Sequence, residues 1–129
     1  MNSFTYSAPV SVQQAVSEHA KFKNASYLAG GTNLLDNLKL GVDQPDHLID
    51  VRHLGLDRIE VLPDGGVRIG ASVRNTALAY DDRVRKQYPA LWEAILAGAS
   101  PQLRNAATTA GNLLQRTLLL LPRHGFSVQ

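Results

Sequence analysis

Two adjacent glycines, Gly30 and Gly31, interrupt the run Tyr27-Leu-Ala-Gly-Gly-Thr-Asn-Leu-Leu35 between a short apolar segment and a helix-like one. Glycine reaches backbone conformations closed to other residues, so the chain can turn sharply here. The first N–H groups of a helix have no intrahelical acceptor; strand, glycine turn and helix in that order make a place where an anion can sit. The turn lacks the GxGxxG spacing of a dinucleotide-binding Rossmann loop and the GxxxxGK pattern of a P-loop. From the residues alone two readings stay open. One is a tight turn that uses glycine for geometry. The other is a phosphate cradle in which Gly31, Thr32 and Asn33 donate backbone N–H groups and Thr32 its hydroxyl. A second turn, Thr108-Thr-Ala-Gly-Asn112, offers hydroxyls, a glycine N–H and an amide, against the plainer alternative that Asn112 bonds its own backbone.

The surroundings read as α/β. Ser11 is placed to cap a helix over residues 12–20, whose Val12, Ala15, Val16 and Ala20 make an apolar stripe read as scaffold. Residues 26–29 form a strand, 33–40 a helix stopped by Gly41, and 47–51 the next strand, together one β-α-β unit. Residues 58–62 and 67–71 flank Pro63-Asp-Gly-Gly66, a hairpin signal. Asn75 or Thr76 caps a short helix, residues 81–87 are helical, and Pro89 opens a helix ended by Gly98. Tyr88 and Trp92 beside that helix are packing residues. Residues 99–112, small and amide-rich without periodicity, read as an ordered loop.

Composition removes several function classes. The chain of 129 residues has 13 Lys and Arg against 11 Asp and Glu, evenly spread, so nucleic acid is not an expected partner. Without cysteine there is no disulfide, thiolate metal site or cysteine nucleophile. His19, His47, His53 and His124 lack metal-ligand spacing; His47 and His53 read as exposed or hydrogen-bonded loop residues. No stretch approaches a membrane span and no secretory leader is recognisable. Arg104 and Arg116 are cations that can balance phosphate charge, each read first as a surface residue. No nucleophile-base set or carboxylate pair stands out, which leaves side-chain catalysis little support.

The segments Tyr27-Leu-Ala-Gly-Gly-Thr-Asn-Leu-Leu-Asp36, His47-Leu-Ile-Asp-Val51, Val67-Arg-Ile-Gly-Ala71 and Ile95-Leu-Ala-Gly-Ala-Ser-Pro-Gln-Leu-Arg-Asn105 resemble the flavin-binding medium subunit of molybdenum hydroxylases. More narrowly, they resemble the FAD subunit of bacterial aldehyde oxidoreductases in the xanthine dehydrogenase family. The resemblance runs from about Phe4 to Thr117. It implies the N-terminal part of a vanillyl-alcohol-oxidase (PCMH)-type FAD-binding domain, a small mixed sheet with flanking helices. In that family Leu28, Ala29, Gly30, Gly31, Thr32, Asn33 and Leu34 wrap the FAD diphosphate, and Thr108, Ala110, Gly111 and Asn112 contact the cofactor from the other side. The second turn usually has two glycines before the Asn; Ala110 stands at the first of them. The implied partners are a molybdenum-cofactor large subunit and a 2Fe-2S small subunit, with the flavin passing electrons to an acceptor. The complex is then cytoplasmic, or periplasmic where a partner carries the export signal. The rival readings are a noncatalytic interaction domain and a different phosphate-binding enzyme. Replacing Gly31 with Val is expected to obstruct a diphosphate.

Past Thr117 the resemblance stops. Residues 118–129, Leu-Leu-Leu-Leu-Pro-Arg-His-Gly-Phe-Ser-Val-Gln, replace a cysteine-bearing segment that holds an iron–sulfur cluster in this subgroup, and the expected product is truncated and inactive alone. Back-translated with one permissible set of codons and read one base later, the tail yields CCFYRDTAFPC, which resembles the missing segment. A frameshift is therefore expected. Sequencing the gene checks it: a shifted frame encoding the Cys and Tyr-Arg-Asp residues is the expected result, and a frame without them removes the idea.

Overall fold

The computed structural model describes residues 3–115. Arg116, His124, the boundary at 117 and the tail at 118–129 lie outside the described residues. Along the chain run β1 (Thr5–Ser7), α1 (Val12–Lys21), β2 (Ala25–Leu28), α2 (Leu34–Lys39) and β3 (His47–Asp50). They continue with β4 (Ile59–Val61), β5 (Val67–Ile69), α3 (Asn75–Tyr80), α4 (Asp82–Gln87), α5 (Pro89–Ala97), α6 (Pro101–Ala106) and α7 (Thr109–Leu113). The strand pairings are of both kinds but fall into two sheets. The first has the order β1-β3-β2 and is wholly parallel; the second is the antiparallel β4-β5 hairpin.

The expected β-α-β unit is present, with β2 and β3 paired from Ala25↔His47 to Leu28↔Asp50 and α2 as the connection. β1, which no sequence signal marked, adds to the other side of β3 with Thr5 opposite His47. All four residues of β3 are buried. Ser11 caps α1 as expected, accepting from the Gln14 N–H at 3.2 Å. The hairpin closes with Leu62 N–H to the Gly66 carbonyl at 2.7 Å and Gly65 at φ 85°.

One expectation fails outright. Residues 99–112 are not a loop: they contain α6 and α7. Ser100 caps α6 by accepting from Leu103 N–H, with Pro101 in the first turn, and Thr108 caps α7 by accepting from Gly111 N–H. Arg104 is not a free surface cation either. Its Nη1 donates to the carbonyls of Leu96, Gly98 and Ala99 at 3.2, 2.9 and 2.8 Å, tying α6 to the end of α5 and holding Ala99 at φ 51°. In the short helix α3 neither Asn75 nor Thr76 is the cap: Arg74 holds that position, and no side chain caps it by a hydrogen bond.

Val73, Leu78 and Val84 form the core of the second part, with Ile59, Ile69, Trp92 and Ile95 packed around them. Trp92 is thus a packing residue, with the Arg85 guanidinium 5.1 Å from its ring centre. Tyr88 is the half-exposed residue from which α5 starts.

The parallel sheet buries two polar side chains with their partners. His47 is a buried strand residue, not a loop one: Thr5 Oγ1 lies 2.6 Å from its Nδ1, Ser7 Oγ 3.0 Å from its Nε2, and Phe22 stacks on the ring. Asp50, 1% exposed, accepts from Arg52 Nη2 at 2.6 Å, from Arg52 Nε and N–H, and from Tyr6 Oη at 2.5 Å. The Arg52 guanidinium holds the Asp50 carboxyl well below the usual carboxylate range, and the hydrogen bond to Asp50 raises Tyr6. A depressed carboxyl stabilises the fold above its unfolded pKa of about 3.9 and loses that contribution as pH falls below it. Asp50→Asn should therefore cost about 1–3 kcal/mol at neutral pH. Urea midpoints of the two proteins should converge as pH drops through about 4 and below.

Candidate functional site

The glycine turn sits between β2 and α2 and is shaped by two distinct demands. At Gly30 the backbone of residues 106–107 presses in: a Cβ would stand 2.2 Å from the Ala106 carbonyl oxygen and 3.0 Å from Ala107 Cα. At Gly31 the demand is conformational, with φ at 76° in the left-handed region. Asn33 begins α2 without a side-chain cap. Among the described residues, the N–H groups of Gly31, Thr32 and Leu34 donate to no backbone carbonyl, and no side chain of these residues bonds the Thr32 hydroxyl.

These residues form one side of a cavity of about 610 Å³. Ala29, Gly30, Gly31, Thr32, Asn33 and Leu34 line it, and so do Thr108, Ala110, Gly111 and Asn112 from the other turn. The two turns are direct neighbours, since a Cβ on Gly111 would lie 4.0 Å from the Ala29 Cβ. Leu28 is not part of the wall; its Cδ1 lies behind Gly31, 3.5 Å from where a Cβ there would stand.

The second turn differs chemically from the sequence expectation. Its N–H groups already have acceptors: Thr109 on Val73, Ala110 on Ala71, Gly111 on the Thr108 hydroxyl and Asn112 on the Thr108 carbonyl, at 2.9 to 3.2 Å. Thr108 is 2% exposed and acts as the cap. With these N–H groups engaged, Ala110 and the exposed Asn112 are residues of this turn that line the cavity beside Thr108 and Gly111. Ala110 lies within α7 and has no positive φ, so its methyl needs no backbone strain.

Sequence reasoning also missed a wall. The α1 stripe read as scaffold has Val12 and Val16 about half exposed, and these line the cavity with Ala15 and His19. His19 stacks on Tyr27, ring centres 4.7 Å apart, in the same wall. Val51, Leu54 and Leu56 add an apolar floor. No Lys or Arg among the described residues lines the cavity, and Asp43, held by Asn37 Nδ2 at 2.7 Å, brings a carboxylate. Among the described residues, an anion here is met by backbone N–H groups, the Thr32 hydroxyl and the His19 ring rather than by Lys or Arg. No group of His, Asp and Glu among the described residues is arranged to hold a metal ion. No helix among them is long and apolar enough to cross a membrane.

A parallel sheet with helical crossovers, carrying an open-donor turn and a closed-donor turn on one large cavity, defines a small α/β domain built around a cofactor-sized space. The chain belongs to the family described as the FAD binding domain in molybdopterin dehydrogenase, which it matches over residues 2–118. It is similar to the aldehyde oxidoreductase FAD-binding subunit PaoB of Escherichia coli (strain K12), 57% identical over 117 residues, covering 91% of this chain and 37% of that subunit. Among solved structures it aligns with quinoline 2-oxidoreductase from Pseudomonas putida 86 at a TM-score of 0.82 and 31% identity, over 87% of this chain and 39% of the other. With the carbon monoxide dehydrogenase from Hydrogenophaga pseudoflava the TM-score is 0.81 and the identity 37%, over 87% and 39%. The chain thus spans less than two-fifths of the length of these relatives.

The two glycines should respond differently to a single methyl. Gly30→Ala forces backbone against backbone and should destabilise the ligand-free protein by about 3 kcal/mol. Gly31→Ala meets only side chains, those of Leu35 and Leu28, and should cost about 1 kcal/mol, from its left-handed φ. Urea unfolding of both variants checks the order. Because φ at Gly31 penalises any side chain, Gly31→Val does not isolate a diphosphate effect.

Proposed function

We propose that this chain grips the diphosphate of FAD between its two turns, as part of the flavin-binding subunit of a molybdenum-hydroxylase-type oxidoreductase. The observation that carries this reading is the cavity where the turns meet, with the N–H groups of Gly31, Thr32 and Leu34 on its wall uncommitted among the described residues. When bound, FAD supplies a ring that accepts and releases electrons, which lets such a subunit pass them from iron–sulfur clusters to an acceptor. The chain's own residues do simpler work. The N–H groups and the Thr32 hydroxyl hold the phosphate oxygens through dipoles, at the start of α2. The apolar floor and the α1 wall keep water away, which strengthens those bonds. The Ala110 methyl sets how closely the ligand approaches the second turn, and the Asn112 amide offers it a further hydrogen bond.

In this reading the site residues are residues 28–34 with Thr108, Ala110, Gly111 and Asn112, Leu28 acting from behind Gly31. The partners are a molybdenum-cofactor large subunit and a 2Fe-2S small subunit, and the substrate of the complex is an aldehyde, as in the relative 57% identical. Its compartment is the cytoplasm, or the periplasm where a partner carries the export signal. One observation favours a second reading, in which the turns are structural: Gly30 is required by the Ala106 backbone with no ligand present.

Titration of the purified protein with FAD, followed by flavin absorbance and fluorescence, tests the proposal. Yellow, FAD-loaded protein is the expected outcome. Thr32→Val should weaken binding by about three- to tenfold, and Ala110→Gly should tighten it. Folded protein that ignores FAD supports the structural reading. Binding of ADP or pyrophosphate without a response to FAD points to a different phosphate-ligand enzyme.

A further inference from the structure

Behind Thr108 lies a second cavity, of about 270 Å³, which shares only that residue with the larger one among the described residues. Its wall carries two guanidinium groups, Arg52 and Arg74, together with Ser72 and Asp57. Arg74 is half-buried. Its Nη1 donates to the Ala106 carbonyl, and no carboxylate among the described residues forms an ion pair with it. Arg52 directs Nε and Nη2 to Asp50, leaving Nη1 uncommitted to that carboxylate. Ser72 is only 8% exposed; its N–H bonds the Leu56 carbonyl at 2.8 Å, while its hydroxyl has no hydrogen-bond partner among the described residues.

Among the described residues Arg74 has no counter-charge, and the Ser72 hydroxyl on the same wall is open to a ligand. One oxyanion between them can accept from both, and guanidinium forks match its geometry. We propose that this cavity binds a phosphate-sized oxyanion, free or as the terminal group of a small ester, between Arg52, Arg74 and the Ser72 hydroxyl. Asp57 opposes it, but that residue is exposed and its charge is screened by water. The site is distinct from the flavin cavity and coupled to it. Arg74 also holds the Ala106 carbonyl that rests on Gly30, so an anion that orders Arg74 stiffens the seam between the two turns.

Thermal unfolding of the full chain in inorganic phosphate, against chloride at equal ionic strength, is the test. The midpoint should rise saturably with phosphate. Ser72→Ala, which removes only the unpartnered hydroxyl, should weaken the response by about threefold. Arg52→Lys keeps the charge beside Asp50 but loses the fork, and should weaken it by about tenfold. Asp57→Asn should strengthen it. Thr32→Val, in the other cavity, should leave it unchanged, which separates this site from the flavin proposal whatever FAD does. A larger shift with glycerol phosphate assigns the ester form, and a larger shift with inorganic phosphate assigns the free anion. No saturable rise, a rise equal in wild type, Ser72→Ala and Arg52→Lys, or a rise abolished by Thr32→Val overturns the proposal.

Discussion

The Ala106 carbonyl lies so close to Gly30 that no other residue fits there, and the same oxygen accepts a hydrogen bond from the Arg74 guanidinium. Three segments far apart in the sequence therefore meet at one backbone atom. From that point residues 106–110 run beside residues 71–75: Asn75 N–H bonds the Ala107 carbonyl, Thr109 N–H that of Val73 and Ala110 N–H that of Ala71. Residues 71–75 follow directly from β5, while Gly30 follows directly from β2. The contact thus joins the parallel sheet to the hairpin and its helices. This seam holds the two turns side by side, and both line the larger cavity.

The parallel sheet solves a different problem. Its central strand is buried along its whole length yet carries His47 and Asp50, which need partners to be tolerated there. β1 supplies them. Thr5 and Ser7 flank the two nitrogens of His47, and Tyr6 reaches Asp50 from the same three residues. Ser7 in turn donates to Glu18 at 2.6 Å, which ties α1 to the sheet edge. A strand this short is weakly held by its ladder alone. Its side-chain bonds explain why it stays on the edge of the sheet, and α1 with it on the cavity wall.

What was legible in the sequence was what local chemistry specifies. The glycine turn, the β-α-β unit, the Pro63 to Gly66 hairpin and the Ser11 cap each depend on residues a few positions apart, and all are present. The family resemblance added FAD and the PCMH-type domain, which composition and spacing did not supply. Ser100 followed by Pro101 is the same cap-and-proline signal that opens helices elsewhere, and it was overlooked because the small residues around it hid any period. α7 has five residues and β1 three, too few for periodicity to register. The commitment of the second turn's N–H groups was beyond local reading for another reason: two of their acceptors, Ala71 and Val73, lie 36 or more residues earlier. An apolar stripe such as Val12, Ala15 and Val16 shows that a face is sticky but not whether it meets core or cavity.

The closed hydrogen bonding of the second turn bears on where the entropy of binding is lost. Every N–H from Thr109 to Asn112 is already engaged before a ligand arrives, so that side of the cavity behaves as a preset surface. Among the described residues, the N–H groups still open to a guest are on the other side, at Gly31, Thr32 and Leu34. Substitutions at residues 110 and 112 therefore alter fit without reordering the chain beneath them. Changes in the first turn alter the donors that the guest itself must meet.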